Sequence, residues 1–204
     1  VMEIQVISPD KIMLTLNKPV DTLLIKNVSL YHIDNGGGNP VRVETDALNT
    51  QQISLYFSNP LALNTIYNLT IYSGFADCFG NAISDNYVLS FAVPQEVEPN
   101  DLVINEILAD PKEGGVDFIE IYNRSEKIIN LKTLSVAEYD TIHASAIFPQ
   151  KISTSQRMIF PKEYLVVSKN QSAIKSQYVV INTSAFIDIM SMPKMNIASG
   201  AVCL

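Results

Sequence analysis

Five carboxylates fall between positions 106 and 120: Glu106, Asp110, Glu113, Asp117 and Glu120. Acids gathered on a loop are what calcium takes, since the ion collects roughly six to eight oxygens from carboxylates and backbone carbonyls. The loop Asp110-Pro111-Lys112-Glu113-Gly114-Gly115-Val116-Asp117 would supply some of those oxygens. Its spacing is not that of an EF-hand, and Lys112 sits in its middle. The competing reading is a solvated acidic loop, with Glu106 and Glu120 on flanking strands accepting hydrogen bonds that orient a sheet. The solvated reading is the expected one, so no cofactor is expected, with calcium at these five acids as the lesser alternative.

Other chemistries find little support. His32 and His143 are far apart in the chain and neither has metal-ligand spacing. No Gly-x-Ser-x-Gly, phosphate loop or zinc signature occurs. A carboxylate pair for glycoside cleavage is a matter of geometry rather than spacing, but tryptophan, a common sugar platform, is absent. The expectation is a protein that is not an enzyme. Cys78 and Cys203 stand one in each half, too few for a disulfide framework, and leave the redox compartment open. Five Asn-x-Ser/Thr triplets, at Asn27, Asn68, Asn123, Asn170 and Asn182, fit the glycan acceptor rule and are expected as chance matches.

Charge narrows the partners. The net charge is −7; residues 1–98 carry 10 acids against 4 bases, and residues 99–204 carry 11 against 10. No basic cluster serves a phosphate backbone or an anionic bilayer, so nucleic acid is not an expected partner. No apolar run approaches the roughly 18 residues of a membrane helix. The chain opens on Val1 without a basic-then-apolar leader and reads as a processed or excised fragment.

The elements carrying these residues are strands. Alternation with period two dominates: Ile12, Leu14 and Leu16 run inward opposite Lys11, Met13 and Thr15, after a turn at Ser8-Pro9-Asp10. Runs follow at 28–33, 41–45, 52–57, 66–72 and 87–93, with Asn35-Gly36-Gly37-Gly38-Asn39-Pro40 a turn between two of them. Seven short strands in about 93 residues are the signature of an immunoglobulin-like sandwich. Pro94 to Asn100, with two prolines and two acids, reads as a short stiff linker. Beyond it, strand runs recur from Leu102 to Val167, and 170–178 suits a short helix capped by Asn170. The fold class is all-β, with two tandem immunoglobulin-like β-sandwich domains.

Two resemblances refine this reading. Leu14-Thr15-Leu16-Asn17-Lys18-Pro19-Val20-Asp21, Tyr31, Tyr67-Asn68-Leu69-Thr70-Ile71 and Gly74-Phe75-Ala76-Asp77-Cys78-Phe79-Gly80-Asn81 resemble the bacterial Ig-like domain first described in the S-layer protein SbsA, across residues 1–93. That likeness makes Asp77-x-x-Gly80-Asn81 the turn before the last strand, with Gly80 free to take positive φ and Asp77 or Asn81 capping it. Leu61-Ala62-Leu63-Asn64-Thr65-Ile66-Tyr67 is similar to the strand approach of fibronectin-type modules, with Leu63 and Asn64 replacing Pro and Gly. It implies a tyrosine corner at Tyr67.

From 101 to 204 the chain resembles a lamin-tail domain, through Ile104-Asn105-Glu106-Ile107, Asp110-Pro111, Asp117-Phe118-Ile119-Glu120-Ile121-Tyr122-Asn123, Ile129-Asn130-Leu131 and Phe160-Pro161-Lys162-Glu163-Tyr164-Leu165-Val166-Val167. In that family further strands follow the one corresponding to Gly200-Ala201-Val202-Cys203-Leu204, so the domain reads as incomplete at its C-terminus. An unfinished edge implies association, with a homodimer through it as the expectation.

The function expected is a non-catalytic extracellular or cell-surface module, periplasmic placement included, acting as spacer or adhesion segment toward a protein or surface polysaccharide. The alternatives are an accessory region of a secreted hydrolase and a calcium-dependent adhesion module.

Overall fold

Apolar residues at every second position become strands here because each strand has one face to bury. The computed structural model describes residues 3–46, 48–195 and 201–204, and it divides into two units, Val1–Val93 and Pro94–Leu204.

The first unit holds β1 (Glu3–Ser8), β2 (Lys11–Thr15), β3 (Tyr31–Ile33), β4 (Arg42–Thr45), β5 (Gln52–Tyr56), β6 (Thr65–Ile71) and β7 (Tyr87–Val93). They form two antiparallel sheets, β1-β2-β5-β4 and β3-β6-β7. That is the strand order of a seven-stranded immunoglobulin domain of constant type. Opposed pairs Ile12–Leu55 and Leu14–Ile53 are fully buried and meet Tyr67, Leu69 and Ile71 in one core. Each such side chain contributes about 1.5–3 kcal/mol relative to exposure. The opposite face of the first sheet carries a ladder in which Tyr56 lies between Lys11 and Arg42, the Arg42 guanidinium 3.8 Å from the ring centroid.

One run departs from expectation. Val28–Leu30 is a 3-10 turn rather than the start of a strand, because the Asn27 side chain accepts the Ser29 N–H and caps it. It delivers Tyr31 to the core, where the buried phenol donates to Ile25 O at 2.8 Å. Burial pushes the Tyr31 pKa far above its ordinary value.

The second unit contains β8 (Leu102–Leu108), β9 (Phe118–Asn123), β10 (Ile129–Asn130), β11 (Ser135–Asp140), β12 (Ser145–Lys151), β13 (Met158–Ile159), β14 (Tyr164–Ser168), α1 (Gln171–Gln177), β15 (Phe186–Asp188) and β16 (Val202–Cys203). Its main sheet is β15-β14-β9-β8, with β12-β11-β16 and the pair β10-β13 beside it. The β14–β15 pair is parallel, which requires a crossover; α1, capped by Asn170, supplies it. Ile119, Ile121, Leu131, Val136 and Val167 are fully buried in its core. Gly200, the first residue of the final strand run in the sequence, lies outside the described residues; β16 pairs antiparallel with β11 through Val202 and Cys203.

Residues 94–100, read as a spacer, are tied to the second unit from Gln95 onward. Gln95 donates its N–H to Ile128 O at 2.9 Å and forms a parallel bridge with Ile129. The Lys127 ammonium reaches Glu98 at 2.6 Å and Asp101 at 2.8 Å.

Candidate interaction site

The residues singled out in the sequence separate into supports and scattered acids. Tyr67 is buried, stacks on Phe91 with centroids 5.8 Å apart, and its hydroxyl accepts the Ala62 N–H at 2.9 Å. That bond closes the corner where the chain enters β6; Asn64, at φ 59°, supplies the turn in place of glycine.

The five acids are not brought to a common point. A bulge at Asn105 sets Glu106 directly opposite Glu120, and the Asn105 amide donates to Glu120 at 2.7 Å. Asp110 and Glu113 are exposed, and the loop carrying them is fastened instead to α1, where the Gln177 amide donates to Glu113 O at 3.0 Å. Among the described residues no group of three or more His, Cys, Asp or Glu is arranged to hold a metal.

The Asn-x-Ser/Thr triplets have a backbone explanation. Asn27, Asn123, Asn170 and Asn182 each accept the N–H of the serine two residues on, and Asn68 bonds Asp34 and Ser90. Asn123 is fully buried. Its amide donates to Lys127 O, Ile159 O and Phe160 O, and its oxygen accepts from Ser125.

Asp77, Gly80 and Asn81 lead to a concave part of the first unit. Asp77 Oδ1 accepts the N–H groups of Phe79 and Asn81, and the Asn81 amide donates to both carboxylate oxygens. These bonds, those from Asn81 first, hold the Asp77 carboxyl below the usual carboxylate range, with Lys18 adding its charge. Gly80 sits at φ 81° with open space where a Cβ would stand, so backbone conformation rather than crowding selects glycine.

Strand register puts three loops at this end. Thr15 opposes Gln52 and Thr45 opposes Ile53, so the β2–β3 and β4–β5 loops leave together. Ile71 opposes both Tyr31 and Tyr87, placing the β6–β7 loop at the mouth of the second sheet. A bridge between Val20 and Asp77 joins the two sides. Between the β2–β3 and β6–β7 loops lies a cleft of about 430 Å³, lined by Leu16, Val20, Ile71, Phe75, Ile83 and Tyr87 with Lys18, Asp77 and Asn81 at polar positions. Clefts of this size with apolar walls and a few polar groups are the usual form of a binding site.

Each of the three loops also carries a large apolar side chain in solvent, held by the same local device. Asp21 Oδ1 accepts the N–H of Leu23, Asp46 Oδ1 that of Leu48, and Asp77 Oδ1 that of Phe79, at 2.8, 2.8 and 2.9 Å. Leu23, Leu48 and Phe79 are 80%, 99% and 84% exposed. In the second unit Asp140 and Ile142 repeat the arrangement at the tip of the β11–β12 hairpin. Sequence reasoning passed over these residues, although the repeated Asp-x-apolar spacing inside turn segments was there to find.

Fold and site together define a protein built of tandem immunoglobulin-type sandwich modules. The chain belongs to the Lamin Tail Domain family, whose model matches residues 95–198, while residues 3–93 match the model of the Bacterial Ig-like domain. Searches of the curated proteins and of the solved structures found no match. No described helix is long and apolar enough to cross a membrane.

Proposed function

We propose that this chain is a non-catalytic interaction module of a larger secreted or cell-surface bacterial protein, with the loop end of the first sandwich as its contact surface. The observation that carries the reading is that three loops, each with a solvent-exposed apolar side chain, leave one end of the sandwich, two of them bordering an apolar cleft. Single exposed apolar residues are ordinary on protein surfaces, but several at one end of a sandwich, beside an apolar cleft, suit a contact site. Bacterial Ig-like domains are frequent in extracellular proteins, which supports the location. The second sandwich serves as carrier, since Glu120 is bonded across its sheet by Asn105 and its buried Asn123 holds its own loops.

Labeling of intact native cells with antibody raised against residues 1–204 tests the location. Signal on intact cells, or after outer-membrane permeabilization alone, agrees with the proposal. Signal that follows a cytosolic marker contradicts it.

A further inference from the structure

The ionic groups on the three loops point to what the contact surface takes. The loops between β2 and β3, β4 and β5, and β6 and β7 carry Asp21, Asp46, Asp77 and Asp85 against Lys18 and Lys26. Asp21 and Asp46 each use one carboxylate oxygen on the loop backbone; the other has no hydrogen-bond partner among the described residues. Their negative charge therefore stays available beside Leu23 and Leu48. We infer that this end binds a protein segment in which apolar side chains are flanked by lysine or arginine. One apolar side chain enters the cleft, its apolar neighbors meet Leu23, Leu48 and Phe79 on the loops outside it, and the basic flanks meet the aspartates.

A bilayer is the less suitable occupant on two counts. The acid excess repels anionic headgroups, and a flat surface leaves a cleft of about 430 Å³ unfilled. A second copy meeting it loop end to loop end brings the same acid excess and repels it.

The inference rests on the loop end being an interaction surface, and its test reads binding rather than location, so the two fail separately. The probes are two fluorescent peptides with a Leu-Phe-Leu center, one flanked by pairs of lysine and one by pairs of glutamate, titrated into the whole 204-residue chain. The lysine-flanked peptide is expected to bind at least about tenfold more tightly, the ratio that 1.4 kcal/mol produces. Leu48→Ser and Phe79→Ser are each expected to weaken it by about fivefold or more. Leu63→Ser, on the β5–β6 loop at the other end, leaves it unchanged. All three side chains are exposed, and unchanged melting curves establish that the variants fold.

Equal binding of the two peptides, no binding of either, or loop-tip variants that bind like the parent would overturn the inference. So would sedimentation of the chain with phosphatidylcholine vesicles, with or without phosphatidylglycerol, in a manner lost in Leu48→Ser; that result would assign the surface to lipid.

Discussion

Asp46 Oδ1 accepts the backbone N–H of Leu48 at 2.8 Å, and that short bond displays a leucine whose side chain is almost wholly in water. A side chain so exposed gives the fold nothing by burial.

Asp46 therefore separates turn geometry from charge. Asp46→Asn keeps an oxygen acceptor for the Leu48 N–H and removes the charge, so selectivity for the lysine-flanked peptide over the glutamate-flanked one should narrow. Asp46→Ala removes both, and affinity should fall further. Stability should change by no more than about 0.5 kcal/mol in either variant, as is usual for surface positions. Peptide titrations alongside urea melts check both statements.

Tyr67→Phe deletes the acceptor for the Ala62 N–H while keeping the stack on Phe91. The first unit should lose about 1–2 kcal/mol. Urea unfolding followed by signals of each unit should show the second unaffected.

Asn123→Ala leaves three backbone carbonyls and the Ser125 turn without their partner in a buried place. A cost of about 2–4 kcal/mol to the second unit is expected. Comparing Ser125→Ala, which removes only the hydroxyl, apportions it.

The Lys127 clamp gives a pH dependence. The Asp101 carboxyl is lowered, chiefly by its bond from Lys127, so its contribution is complete above the ordinary carboxylate range and is lost as pH falls through the lowered folded value. The Lys127 ammonium is raised by Asp101 and Glu98, so its contribution is complete below the ordinary lysine value and is lost as pH rises through the raised one. Between the two the attachment of residues 95–101 is constant. Hydrogen exchange at the Gln95 amide should accelerate in Lys127→Met. Both pH limbs should be shallower in equilibrium melts of that variant, though not lost, since Asp77 is also lowered and Lys162 also raised.

The strands were legible because alternation reports a buried face directly. Ile12, Leu14 and Leu16 read inward from the sequence and lie buried. Tyr67 and the turn at Asp77 were legible through local motifs, since their partners lie within five residues. What sequence hid depends on distant partners. Lys127 meets Glu98 across 29 positions, so nothing in Pro94–Asn100 reveals that the segment is attached. β12 carries few buried residues and bulges around Phe148 and Pro149, which removes the alternation that would have marked it. β15 pairs in parallel after a crossover, and its three residues give no periodic signal of their own. The exposed leucines and Phe79 escaped for another reason: apolar residues in turns ordinarily read as interior, so the Asp-x-apolar spacing that accompanies them drew no attention until their exposure was seen.

The central claim is that the loop end of the first sandwich is where this protein makes contact. Amide and methyl chemical-shift mapping of the isotope-labeled chain, titrated with the lysine-flanked peptide, tests it most directly. The account expects shifts confined to residues 16–26, 46–51 and 75–87, led by Leu48 and Phe79. Shifts centered in the second unit, spread evenly over both sandwiches, or absent at saturating peptide would contradict it.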